Sequence, residues 1–162
     1  MPETNSSNTM IEIPQVVQTE ALPMAKLYAK VPTSQIQTEM GKLVQEVIAE
    51  IGKQGIAITG PWFTHHFRRP DDFFDFEVCM PVATPIQPAG RVAPGEWPAM
   101  KVIRTIYRGN YTGLPAAWGE FMEWTHNEGL KLSPEIWERY LVSPSTESDP
   151  AKWVTEMNRP LL

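Results

Sequence analysis

An internal repeat constrains this chain more than any other feature of its sequence. Gly55-Ile-Ala-Ile runs through Pro61 and an aromatic segment at 62–67 to Pro70, then into Phe76-Glu77-Val78-Cys79-Met80-Pro81-Val82. Gly129-Leu-Lys-Leu runs through Pro134 and the segment at 136–140 to Pro144, then into Glu156-Met157-Asn158-Arg159-Pro160-Leu161. Both copies close on Glu, three residues, Pro and an aliphatic side chain. Repeated units too small to bury their own apolar face share a core with their neighbour. The 162 residues are therefore expected as two halves about one pseudo-twofold axis. The register of the repeat sets His65 of the first copy against Glu138 of the second and makes Glu77 the counterpart of Glu156. Such an axis would gather these residues around one central groove.

Hydrophobic spacing supplies the elements. Residues 11–17 and 22–31 read as a first strand region, with Ala-Leu-Pro at 21–23 marking an edge or a bend. Ile36, Met40, Leu43, Val44, Val47, Ile48 and Ile51 recur at steps of three and four, the pattern of an amphipathic helix. Thr33 or Ser34 is its expected N-cap, and Gly52 and Gly55 close it. Strands at 62–67 and 73–82 follow. The second copy has an alternating strand at 100–107, a turn at 108–113, and a helix from Leu114 or Pro115 to Asn127 that Gly129 stops as Gly55 stops the first. Pro134 can begin a strand but not sit inside one, so the next strand is expected over 135–141. The order β-α-β-β, twice, predicts an α+β fold in which one curved antiparallel sheet carries both helices. The expected boundaries are a flexible leader at 1–13, repeat one at 14–82, a proline-rich connector at 83–98 and repeat two at 99–162.

In the strand after Pro134, Ile136, Glu138 and Tyr140 share one face, and Trp137, Arg139 and Leu141 take the other. Read alone, Glu138 fits a solvent-facing strand as well as a functional site. The second copy and the aromatic content, six Trp, six Phe and four Tyr, favour the functional reading. His65-His66 beside Glu77 and Cys79 suggests a metal, but adjacent strand residues point opposite ways and do not chelate one ion. No metal or other cofactor is expected. Cys79 has no evident basic neighbour and reads as a small core residue. Net charge is −5 with no block of Lys or Arg, so neither nucleic acid nor membrane is an expected direct partner. A single cysteine, and the lack of a basic leader or long apolar run, give a cytoplasmic expectation.

Leu-Ser-Pro-Glu-Ile-Trp-Glu138-Arg-Tyr140, followed by Asp149-Pro150-Ala-Lys-Trp153-Val-Thr-Glu156-Met-Asn-Arg-Pro160-Leu161, resembles the C-terminal half of the GyrI-like effector-binding domains. These bacterial domains also occur fused to AraC-type and MerR-type transcription regulators. Gly60-Pro61-Trp62 with Asp75-Phe76-Glu77-Val78 resembles the first half, so the likeness spans about 14–162. No helix-turn-helix segment flanks it here, and a regulatory role is expected to need a separate regulator protein. A homodimer is the other protein partner open to it.

The resemblance implies a cavity for a small molecule between the halves, lined by aromatics around an acidic residue. Glu138, Tyr140, Glu156, Glu77, His65, Phe67, Trp62, Trp118 and Tyr111 are the candidate ligand-binding residues, for a lipophilic or cationic compound in effector sensing or toxin sequestration. Some members that this chain resembles hydrolyse strained three-membered rings of cytotoxic natural products. In that alternative Glu138 or Glu156 would activate water and Tyr140 would orient the substrate.

Overall fold

The computed structural model describes residues 10–162. Eight strands form one sheet: β1 (Gln15–Gln18), β2 (Leu22–Pro32), β3 (Phe63–His66), β4 (Phe73–Pro81), β5 (Val92–Trp97), β6 (Lys101–Arg108), β7 (Ile136–Val142) and β8 (Val154–Pro160). Two helices, α1 (Ile36–Lys53) and α2 (Leu114–Asn127), complete the fold. The strand order is β1-β6-β8-β7-β3-β4-β2-β5, antiparallel throughout. β3 and β7 meet at the centre, with β4 and then β2 on one side and β8 and then β6 on the other. The expected α+β architecture of two β-α-β-β units is thus the observed one.

The helices end alike. Gly55 and Gly129 hold φ of 67° and 68°, values at which a side chain would strain the backbone. The next amide in each case bonds five residues back, Ile56 to Ile51 at 3.3 Å and Leu130 to Thr125 at 3.2 Å, which satisfies a terminal carbonyl. α1 buries Leu43, Val47 and Ile51 against Ala25, Leu27, Phe76 and Val78. α2 buries Ala117, Trp118 and Phe121 against Ile103, Ile136 and Met157. On the other face of the sheet Met24, Phe63, Cys79, Trp97 and Trp137 form a third cluster.

Several expectations are corrected. The connector contains β5, which pairs with β2 at the sheet edge; Pro94 is tolerated there because an edge strand has one side without ladder bonds. β1 crosses to the second half and pairs with β6. Of the expected leader, 1–9 lie outside the described residues, whereas Ile11 bridges to Tyr107 and Glu12 pairs with Arg108 at 2.9 Å, so 11 and 12 are tied to the sheet. Neither Thr33 nor Ser34 caps α1: a 3-10 turn, Thr33–Gln35, precedes it, and the Thr33 hydroxyl donates to Asp71 O at 2.5 Å. The central register is also one residue away from expectation. Thr64 stands opposite Glu138, and His65 opposite Trp137.

Candidate functional site

Alternation along β3 and β7 sends Thr64, His66, Glu138 and Tyr140 to the helix side of the sheet centre. Glu138 is 7% exposed. Trp118, projecting from α2, donates its indole N–H to Glu138 Oε2. The Tyr140 hydroxyl donates to Glu138 Oε1 at 2.6 Å and lies 2.8 Å from Thr64 Oγ1, which is 3.0 Å from His66 Nε2. Burial pushes the Glu138 carboxyl above its ordinary range, against the lowering effect of the Tyr140 and Trp118 hydrogen bonds. Burial, with a smaller electrostatic influence of the neighbouring His65 ring, pushes His66 down to about 3, so it is neutral at physiological pH and its 3.9 Å approach to Glu138 is not an ion pair.

Tyr111 stands beside this group in a turn fixed by its neighbours. The Asn110 side chain accepts from Thr112 N, and the Tyr107 hydroxyl donates to Asn110 O. Gly113 is required in that turn because a Cβ there would collide with the Tyr107 hydroxyl. Tyr111 stacks on Trp153 at 4.7 Å and meets Tyr140 edge-on at 6.0 Å. Its hydroxyl is buried without a partner, and burial together with the Glu138 charge pushes it up to about 12.

Trp62, just before β3, stacks on Tyr140 with ring centroids 4.2 Å apart. The two rings line a groove of about 630 Å³ together with Met40, Val44 and Ile48 of α1, Ile58 and Pro61, and 143–146 after β7. Glu138 does not itself line the groove and is joined to it through the Tyr140 hydroxyl.

The remaining candidates are on the opposite face. Glu77 lies 3.0 Å from His65 Nδ1 and 3.2 Å from Lys26 Nζ; burial raises its carboxyl, but these partners outweigh burial and the net shift is downward. Glu156 bonds Arg139 at 2.8 Å and lies 3.4 Å from Arg104. The two arrangements are the same device repeated: His65 and Arg139 are cross-strand partners of the two glutamates, and Lys26 and Arg104 pair with the residue two positions beyond each. Phe67 packs edge-on against His65 at 4.7 Å. One groove therefore does not collect all the candidates. Glu138, Tyr140, Trp62, Trp118 and Tyr111 come together on the helix side, while Glu77, Glu156, His65 and Phe67 are behind the sheet.

The family described as GyrI-like small molecule binding domain matches residues 13–161. The chain belongs to the GyrI-like family. It is a small-molecule binding domain. Comparison with curated protein sequences finds no match. Among solved structures, EcmrR in its DNA complex superposes with a TM-score of 0.86 at 20% identity, over 98% of this chain and 61% of the EcmrR chain. This GyrI-like chain thus spans about 61% of that relative's length. A hydrolase from Listeria innocua gives 0.67 at 14% identity, over 99% and 97% of the two chains. SAV2435 bound to tetraphenylphosphonium gives 0.61 at 13% identity, over 93% and 94%. At such identities the likeness is one of fold. No helix among the described residues is long and apolar enough to cross a membrane.

Sequence reasoning missed Thr64, His66 and the α1 wall of the groove in this GyrI-like domain. Thr64 was within reach, because Gly55 and Gly129 differ by the same offset as Thr64 and Glu138. The groove was not, since it depends on the gap between α1 and the loop after β7.

Proposed function

We propose that this chain binds lipophilic organic cations in the groove lined by Trp62 and Tyr140, with Glu138 as counter-charge, for effector sensing or sequestration. One observation carries the reading. Glu138 is a buried carboxylate held by neutral donors, and among the described residues no lysine or arginine pairs with it, whereas Glu77 and Glu156 each have a cationic partner. Desolvation of an unpaired carboxylate is costly, and a cation that cannot lose its charge relieves that cost. Trp62 and Tyr140 line the groove and add cation-π contacts of about 0.5–2 kcal/mol each, and the α1 wall offers apolar surface. The tetraphenylphosphonium bound by SAV2435 belongs to this ligand class.

Tryptophan quenching tests the proposal, since the chain has six tryptophans. Tetraphenylphosphonium is expected to bind in the micromolar range, and E138Q to weaken it about 30-fold, roughly 2 kcal/mol. Equal affinity of both proteins overturns the role of Glu138.

A second reading, ring-opening hydrolysis, is favoured by the 2.6 Å Tyr140 to Glu138 pair and the raised Glu138 carboxyl, features of a general base. A fold relative is described as a hydrolase. Glu138 would take a proton from water as its oxygen bonds a ring carbon, the strained C–C bond breaks, and the proton returns to the released carbon. Glu156 has no part in this, being fixed on two arginines across the sheet. Mass spectrometry of a reactive cyclopropane incubated with the protein distinguishes the readings by catalytic addition of one water, abolished in E138Q.

A further inference from the structure

Glu138, Tyr140, Thr64 and His66 form a continuous chain of short contacts with one fixed end. Trp118 is a pure donor and occupies Glu138 Oε2, so whatever proton or amide group Glu138 carries must face Tyr140 through Oε1. His66 closes the far end, neutral and 1% exposed, with its Nδ1 buried and unpartnered. The two hydroxyls between them each own one proton, and the four groups can satisfy one another in only two directions.

From this geometry we infer that Thr64 and His66 are positioning residues for Glu138, and that the tautomer of His66 is tied to the charge of Glu138 through Thr64 and Tyr140. With Glu138 ionised, Tyr140 donates to it, Thr64 donates to Tyr140, and His66 donates from Nε2. With Glu138 neutral, the carboxyl donates to Tyr140, Tyr140 donates to Thr64, and Thr64 donates to a bare His66 Nε2, leaving the proton on Nδ1. The first arrangement leaves a lone pair unused at Nδ1, and the second leaves a buried N–H without a partner, the rarer and costlier orphan. The chain therefore favours ionised Glu138, against burial. This inference rests on the cation-binding reading for its use: a bound cation holds the forward direction, and a neutral ligand taken up with a proton reverses it. The titratable groups facing Glu138 are Tyr140 on its own strand, His66 on β3 and Tyr111 in the turn before α2.

Nitrogen NMR of the imidazoles reads the tautomer directly and without ligand. The chain has three histidines, and H66Q identifies the His66 signals by their loss. The wild type at pH 8 is expected as the Nε2–H tautomer. E138Q is expected as Nδ1–H, because its amide oxygen must face Trp118 and its NH2 must then donate to Tyr140. T64V is expected to break the link, so that T64V and the T64V, E138Q double variant show the same tautomer. An unchanged tautomer in E138Q, or a difference that survives T64V, overturns the inference. Acidification of the wild type gives the same reversal as Glu138 takes up its proton, independently of whether any variant folds, and its absence is equally decisive. Failure of tetraphenylphosphonium to bind would remove the cation reading while leaving the tautomer result intact.

Discussion

Thr64 and Glu138 stand directly opposite each other where the two halves of the molecule meet. They occupy equivalent positions in the repeat, so the pseudo-twofold axis passes between a hydroxyl and a carboxylate. That asymmetry places a single buried carboxyl on the helix side of the sheet centre. The paired glutamates, Glu77 and Glu156, obey the symmetry and are neutralised symmetrically behind the sheet.

Placing a charge there costs stability. Glu138 has a raised carboxyl in the folded state, so its stabilising difference is present below the ordinary carboxylate range and is lost as pH rises through the folded value. E138Q should match or exceed the wild type by roughly 1–2 kcal/mol at pH 8, with the difference vanishing near pH 4. Urea unfolding at the two pH values checks this, and a less stable E138Q at pH 8 contradicts it.

His66 acts in the opposite sense. Its folded value of about 3 lies below its ordinary 6.5, so the unfolded chain binds the extra proton and stability falls as pH drops from 6.5 toward 3, at up to about 1.4 kcal/mol per pH unit. H66Q should flatten the acid limb of the stability profile between pH 6 and pH 4. A limb of unchanged slope would mean that other groups set it.

Glu156 is a structural clamp. E156Q leaves Arg104 and Arg139 without their shared carboxylate on a half-buried face and is expected to lower stability by roughly 1–3 kcal/mol. Cation affinity should stay within about twofold of the wild type. Denaturation and a quenching titration on the same variant separate the two effects.

Trp62 stacks on Tyr140 and both line the groove. W62A removes one aromatic contact and should weaken tetraphenylphosphonium by roughly 3- to 30-fold, the range of a single cation-π contact. Calorimetry measures this directly, and unaltered affinity would move the ligand away from the groove.

The sequence made the architecture legible where local chemistry is decisive. Gly55 and Gly129 marked both helix ends, because a left-handed terminus favours glycine, and the spacing from Ile36 to Ile51 marked α1. β5 was hidden because Pro94 disguises an edge strand as connector, and the crossing of β1 to β6 has no local signature. In the site, Glu138 and Tyr140 were legible from strand alternation. The repeat register had set His65 against Glu138, one residue from the observed pairing with Thr64, and a slip of one residue exchanges the faces of a strand. The same rule explains Glu156: β8 sets Met157 beside Glu138 and turns Glu156 away.

If Glu138 supplies an unpaired negative charge for a cation, the binding site must be selective for charge. Calorimetric affinities for tetraphenylphosphonium and for triphenylphosphine oxide, a neutral compound of similar aromatic character, give a ratio for the wild type and for E138Q. The wild-type ratio is expected to favour the cation by about tenfold or more, roughly 1.4 kcal/mol, and to collapse toward unity in E138Q mainly through loss of cation affinity. The same ratio in both proteins would contradict it.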